Sequence, residues 1–274
     1  MSKTLSSVAS IEFDSEVKQA YQGMSNLRST VTQRQGCVGD TYNFRSMGKG
    51  LANQKASQAD VTPMDVANGL IPATLQNWNA AEYTDIFDQA AVNFDEQSEL
   101  AEAIAMAIGR REDQLIIDAA VAGTGSTVAA GGTNLTVAKL RAGAKNLNKA
   151  GVPSKDRHIL VSAEGLDSML GETEATSSDF AVVKALVQGE IDTFVSFKFH
   201  TIEDRDEGGL PIAANIRSTM GYHMKGIGIA VGIGPKTEVN YIAQKTSWLA
   251  NGILKAGAVA RDPEGIVTIE TDES

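Results

Sequence analysis

Residues 94–122, FDEQSELAEAIAMAIGRREDQLIIDAAVA, restrict the fold more than any other stretch. The stretch has no proline and a single internal glycine, and it is dense in strong helix formers. Leu100, Ile104, Ile108, Leu115 and Ala119 recur at spacings that keep them on one side of a 3.6-period helix. Asp95, Glu96 and Glu99 place negative charge at the positive end of the helix dipole, and Gly123, Thr124 and Gly125 stop the helix. At 1.5 Å per residue the rod is about 40 Å long, more than twice an average helix. Arg110, Arg111, Glu112 and Asp113 exclude a membrane span. One long amphipathic rod among short strands predicts a beam across a flat subunit.

The 274 residues suffice for one large or two modest domains with a sizeable core. The chain is 42% hydrophobic and 21% charged with 26 glycines, the composition of a folded protein. A net charge of −10 argues against tight sequence-independent binding to nucleic acid. Cys37 is the one cysteine, so no intramolecular disulfide is possible and folding is expected inside the cell. The start, MSKTLSSVASIEFDSEVKQ, has no apolar signal core, so export is not expected.

Residues 1–35 are polar, with Phe13, Val17, Tyr21 and Met24 at helical spacing; a docking segment and a loose terminus both fit. Residues 40–75 read as an extended two-stranded arm, outbound at 41–45 and returning at 59–62. An isolated hairpin is marginal in water, so the arm is expected to lie along another subunit. Leu75, Trp78, Tyr83, Ile86 and Phe87 supply bulky packing before the rod. Beyond the rod, 135–150 reads as a helix closed by Gly151 and Pro153, 157–162 as a buried strand and 163–170 as a helical turn. Residues 180–188 read as a helix, 193–202 as one strand and 203–209 as a charged loop. Residues 227–233, 238–244, 247–259 and 266–269 read as closing strands.

Catalytic signatures are lacking. His158, His200 and His223 are scattered, without the close-spaced partners of a metal site. The glycine run Gly226, Gly228, Gly232, Gly234 misses the dinucleotide spacing, and Pro235 stands where the helix would begin. No G-x-S-x-G occurs. Glu99, Glu102, Glu112 and Asp113 read as a solvated or intersubunit face of the rod, not an acid/base pair. No cofactor and no metal are expected.

In segment order the chain resembles the major capsid proteins of tailed bacteriophages, an α+β fold of Hong Kong 97 type. F-R-x-x-G at Phe44, Arg45 and Gly48, with the polar run to Thr62, resembles the extended loop that overlaps a neighbouring subunit. Asp85, Ile86, Phe87 and Asp88, then Asn93, Phe94 and Asp95, resemble the entry to the spine helix of the peripheral domain. Ile227 to Ala230, Gly257-Ala258 and Gly265 to Ile269 resemble the closing pattern, in which strands are added beside the spine.

The resemblance implies an N-terminal arm over 1–35, an extended loop over 36–75, a peripheral domain over 76–134 and 226–274, and an axial domain over 135–225. It implies intersubunit contacts from the loop residues Phe44, Arg45, Met47, Lys49, Leu51 and Lys55, and packing of the spine through Leu100, Ile104, Ile108 and Leu115. It also implies self-assembly into hexamers and pentamers of an icosahedral head in the host bacterial cytoplasm. The implied partners are a portal protein, a separate scaffolding protein, cement or decoration proteins where the head carries them, and double-stranded DNA held by enclosure, with no membrane. Lys49, Lys55 and Asn251 are of the types some members crosslink, though types this common do not establish it. A nanocompartment shell of the same fold, and an α/β enzyme built on 135–233, are the alternatives.

Overall fold

The computed structural model describes residues 27–89, 96–171 and 193–273. The expected features at 13–24, at the first two rod residues and at 180–188 lie outside these. The chain begins with β1 (Thr32–Gln35), β2 (Thr41–Met47), β3 (Asn68–Thr74), β4 (Gln76–Asp85) and the short α1 (Ile86–Gln89). Then come α2 (Glu96–Ala122), β5 (Ser126–Val128), α3 (Val137–Lys149), β6 (Arg157–Val161) and α4 (Ala163–Gly171). It continues through β7 (Thr193–Phe194), β8 (Phe197–Thr201), β9 (Ile212–Ala213) and β10 (Ile216–His223). Two long strands, β11 (Ile227–Ile242) and β12 (Ser247–Ala260), precede β13 (Ile266–Asp272).

Helix α2 is the 27-residue rod that the sequence pattern demands. Ile104, Ile108, Ile116, Ile117 and Ala120 are buried along it, against a four-stranded sheet in the order β1-β11-β12-β4. Helix and sheet come close at Gly252: a Cβ there would lie 2.5 Å from Ile104 Cγ2 and 2.9 Å from Ile108 Cγ1, so glycine lets β12 pass beneath the helix. Leu27 and Val31 are fully buried in the same core, and β1 pairs in parallel with β11. Residues 27–35, read as the end of an N-terminal arm, pack into the body.

The other layer is a seven-stranded sheet with the path β5-β13-β10-β6-β8-β7 and β9 on β10. Helix α3 starts at Thr136, whose hydroxyl accepts from the Lys139 N–H at 3.2 Å. It lays Leu140, Ala144 and Leu147 on Val267 and Ile269. The strand at 266–272, expected beside the spine, pairs instead with β10 and β5. The single strand expected at 193–202 folds back at Val195 and Ser196, both at positive φ (48° and 67°), so Phe194 faces Phe197 across a tight turn. The strands expected at 227–233 and 238–244 are one continuous β11; the glycines and Pro235 produce register shifts at Val231/Ile233 and Ile233/Lys236 instead of a break. Strand β10 carried no prior expectation, nor did β4. Leu75 is buried and Trp78 lies half-buried under the Arg111 guanidinium, 3.6 Å from the ring centroid. Tyr83 near the end of β4, the sheet's outer strand, and Ile86 and Phe87 in α1 were expected to pack and are exposed.

Candidate assembly surface

Strands β2 and β3 form a two-stranded ribbon paired from Thr41↔Thr74 to Met47↔Asn68. The return strand is thus 68–74, not 59–62. Pro72 fits because Gly48 N–Ala67 O (2.7 Å) and Leu75 N–Asp40 O (2.9 Å) fix which pairs exchange hydrogen bonds. Counting by two from them puts Asn43↔Pro72 at a non-bonded position, where the missing N–H faces outward.

Phe44 anchors the ribbon to the body. It is buried with Ala73, Leu75 and Ala230, and the Arg261 guanidinium stands 5.2 Å from its ring centroid. Its side chain is covered by its own chain, which corrects the expectation of an intersubunit contact there. Arg45, Lys49 and Lys55 are exposed, as are Met47 (75%) and Leu51 (82%). Pattern reading passed over Val61, Met64 and Leu70, which are also exposed. They lie one to a stretch in a polar segment, and only the pairing of β3 shows where Leu70 stands. The surface therefore offers several large apolar side chains on an arm whose own chain leaves them in water.

At the foot of the arm an open groove of about 800 Å³ runs between Arg45, Met47 and Lys49 on one side and Lys225, Arg261 and Glu264 on the other. Lys49 Nζ meets Glu264 Oε2 at 2.5 Å across it. That hydrogen bond, and then the Glu264 charge, hold the Lys49 ammonium pKa above its ordinary value. Lys255 Nζ similarly meets Asp40 at 2.8 Å at the start of β2. Asn251 lies within β12, opposite Glu238 and Ala81.

On the spine, Ile104 and Ile108 are buried, Leu100 and Leu115 half-buried. Glu112 and Asp113, read as a solvated or intersubunit face, are buried within the subunit instead. Glu112 meets Arg28 Nε at 3.3 Å, and Asp113 accepts from Arg205 Nη2 at 3.1 Å and from the Leu27 N–H at 3.2 Å. Burial raises the Glu112 pKa more than Arg28 lowers it. Gln114 Oε1 accepts from the Gly208 N–H at 2.7 Å, and Arg111 meets Glu207 at 3.4 Å, so the charged loop 203–209 is fastened to α2.

The histidines, scattered in sequence, lie on adjacent strands β6, β8 and β10, with His158 Nδ1 2.9 Å from His200 Nε2. Among the described residues no group of three His, Cys, Asp or Glu could hold a metal ion. No described helix is long and apolar enough to cross a membrane.

The family model described as "Phage capsid protein" matches residues 5–273. No curated protein matches by sequence. Among solved structures, the head of Helicobacter pylori bacteriophage KHP40 superposes with a TM-score of 0.79 at 11% identity, over 96% of each chain. A Mycobacterium phage Che8 chain gives 0.71 at 14% identity, over 94% of this chain and 95% of that one. The cyanophage P-SCSP1u capsid gives 0.74 at 13%, over 96% and 92%. At such identities these likenesses carry the fold, and the family model carries the assignment. The chain belongs to the phage capsid protein family: it is a tailed-phage major capsid protein of the α+β Hong Kong 97-type fold, a structural protein that assembles into the virion shell.

Proposed function

We propose that the chain forms hexamers and pentamers that close an icosahedral head around double-stranded DNA, each arm lying over a neighbouring subunit. The observation that carries this reading is the exposure of Met47, Leu51, Val61, Met64 and Leu70 on a ribbon and loop too small to bury them. Arg45, Lys49 and Lys55 supply the polar rim of that contact, and Phe44 fixes the ribbon's angle on the body. The unit built on α2 and the four-stranded sheet is the peripheral domain. The unit built on the seven-stranded sheet is the axial domain, and it takes in β5 and β13, which hydrogen-bond into that sheet. The net charge of −10 makes a weakly repulsive wall along which packaged DNA slides. Assembly takes place in the host bacterial cytoplasm, with a portal protein at one vertex, a separate scaffolding protein, and cement or decoration proteins where the head carries them.

Electron microscopy of the purified chain, made alone and together with the scaffolding protein, tests this reading. Closed polyhedra or hexameric sheets support it, with nuclease-protected DNA as the content of particles from infected cells. A stable monomer in both conditions overturns it, and particles filled with a protein cargo overturn the DNA assignment.

A further inference from the structure

All three histidines of the chain lie on neighbouring strands of the seven-stranded sheet. His158 and His223 are each 7% exposed. On one face, Tyr222 of β10 stands directly opposite His158 of β6, with ring centroids 6.1 Å apart. The parallel register pairs His158 with Lys198 and Leu160 with His200, so His200 lies on the diagonal of the same face. The Tyr222 hydroxyl is occupied by Thr30 Oγ1 at 2.6 Å, and His223 Nδ1 accepts from the Lys225 N–H at 3.1 Å.

The contact between His158 Nδ1 and His200 Nε2, 2.9 Å, has room for one hydrogen. The pair accommodates zero or one extra proton, because the charged ring donates to the neutral one. With two, both facing nitrogens carry hydrogen and the contact must open. We propose that the His158–His200 pair is an acid-sensitive seam: it cannot hold two extra protons while β6 and β8 stay joined, so acid favours the chain in which this seam, and with it the seven-stranded sheet's hold on α2, has opened. The second half of this follows from connectivity. Beyond β8, Ile202 N still bonds to Val161 O at 2.9 Å, and the chain then enters the loop whose Arg205 and Gly208 are fastened to Asp113 and Gln114 of α2.

The groups acting on His158 favour the neutral ring at ordinary pH. Burial acts first, then the charges of His200 and Lys198, with Asp156 opposing and His223 adding to the depression; together they push its pKa down to about 4. Burial likewise lowers His223, with Lys225 and Arg157 contributing and Asp156 and a hydrogen bond at Lys155 opposing. A histidine whose folded pKa lies below its unfolded value takes up protons on unfolding, so stability falls as pH drops between the two values. Glu112, raised by burial, has the opposite sign.

The test is denaturant unfolding of the full-length chain from pH 7 down to 5, above the range where ordinary carboxylates titrate. The unfolding constant of the wild type is expected to rise about thirtyfold between pH 6.5 and 5. In His158→Gln, which keeps a hydrogen-bonding group without the charge, the rise is expected to fall to about twofold to threefold, the share left to the other imidazoles. Should that variant not fold at pH 7, His200→Gln, at a half-exposed position, is used instead; burial still lowers His158 there, so the rise is expected to shrink only in part. Imidazole NMR of the wild type is recorded in either case and should show His158 neutral at pH 5. A flat wild-type profile, an unchanged slope in the variant, or a His158 resonance titrating near 6.5 overturns the proposal.

Discussion

The carboxylate of Asp113, fully buried in the second half of the spine helix, holds the guanidinium of Arg205 at 3.1 Å across 92 positions of sequence. Arg205 also meets Glu203 at 3.1 Å, so one side chain ties its own loop together and to the rod. Replacing Arg205 with Met removes the cation and leaves a charge in the interior. The expected loss is about 3 kcal/mol in denaturant unfolding. A loss below about 1 kcal/mol would show that the pair is only a surface-type bridge.

Gly252→Val should destabilise the subunit by about 1–3 kcal/mol, because the added atoms meet Ile104 and Ile108 across a gap that has no room for them. Pairing it with Ile104→Ala should restore part of the loss. The two effects are therefore expected to be non-additive in melting experiments, and simple additivity would put the contact elsewhere. Ile108→Asp is the harsher case: an unpaired charge in the same core should abolish folding, read as loss of the cooperative melting transition.

Removing residues 49–66 and closing the ribbon with Asn-Gly should leave the body intact. The Gly48 N–H already donates to the Ala67 carbonyl at 2.7 Å, so the two ends of the loop meet without strain. The melting temperature is expected to move by a few degrees at most, on the order of a 1 kcal/mol change. Electron micrographs should show no closed shells. Normal particles from this variant would remove the arm from the assembly contact.

Glu112→Gln tests the sign of a buried carboxyl. Burial raises the folded-state pKa above the unfolded one, so the wild type binds protons more readily when folded and gains stability as pH falls between those values. The glutamine variant should lack that gain, seen as a flatter stability profile just above the ordinary carboxylate range. Arg28→Ala should steepen it, since Arg28 is the group that opposes the rise.

Local signals found the spine and helix α3. The period of Leu100, Ile104 and Ile108 is a property of the helix itself, and Gly151 and Pro153, which close α3, stand directly at its end. Long-range pairing hid the rest. The run Arg110-Arg111-Glu112-Asp113 looks solvated because its partners, Arg28 and Arg205, come from distant parts of the chain. Strand β10 shows no alternation because it is buried on both faces and carries Gly221 and buried Arg217. His158, His200 and His223 meet only through the order β10-β6-β8, which nothing in their spacing encodes. Phe44 reads as part of an exposed arm, and its burial depends on Ala230 from the far end of the sequence.

The pairing of α2 with β11 and β12 also sets a timetable for synthesis. The rod is complete at Ala122, but the strands that cover Ile104 and Ile108 end only at Ala260. At about 5–20 residues per second the ribosome needs on the order of ten seconds to bridge that gap. Throughout it the apolar stripe of the rod is bare on a nascent chain, among many copies of itself being made at once. The fold thus gives its longest helix first and the cover for that helix almost last, so the spine is buried only when the chain is nearly complete.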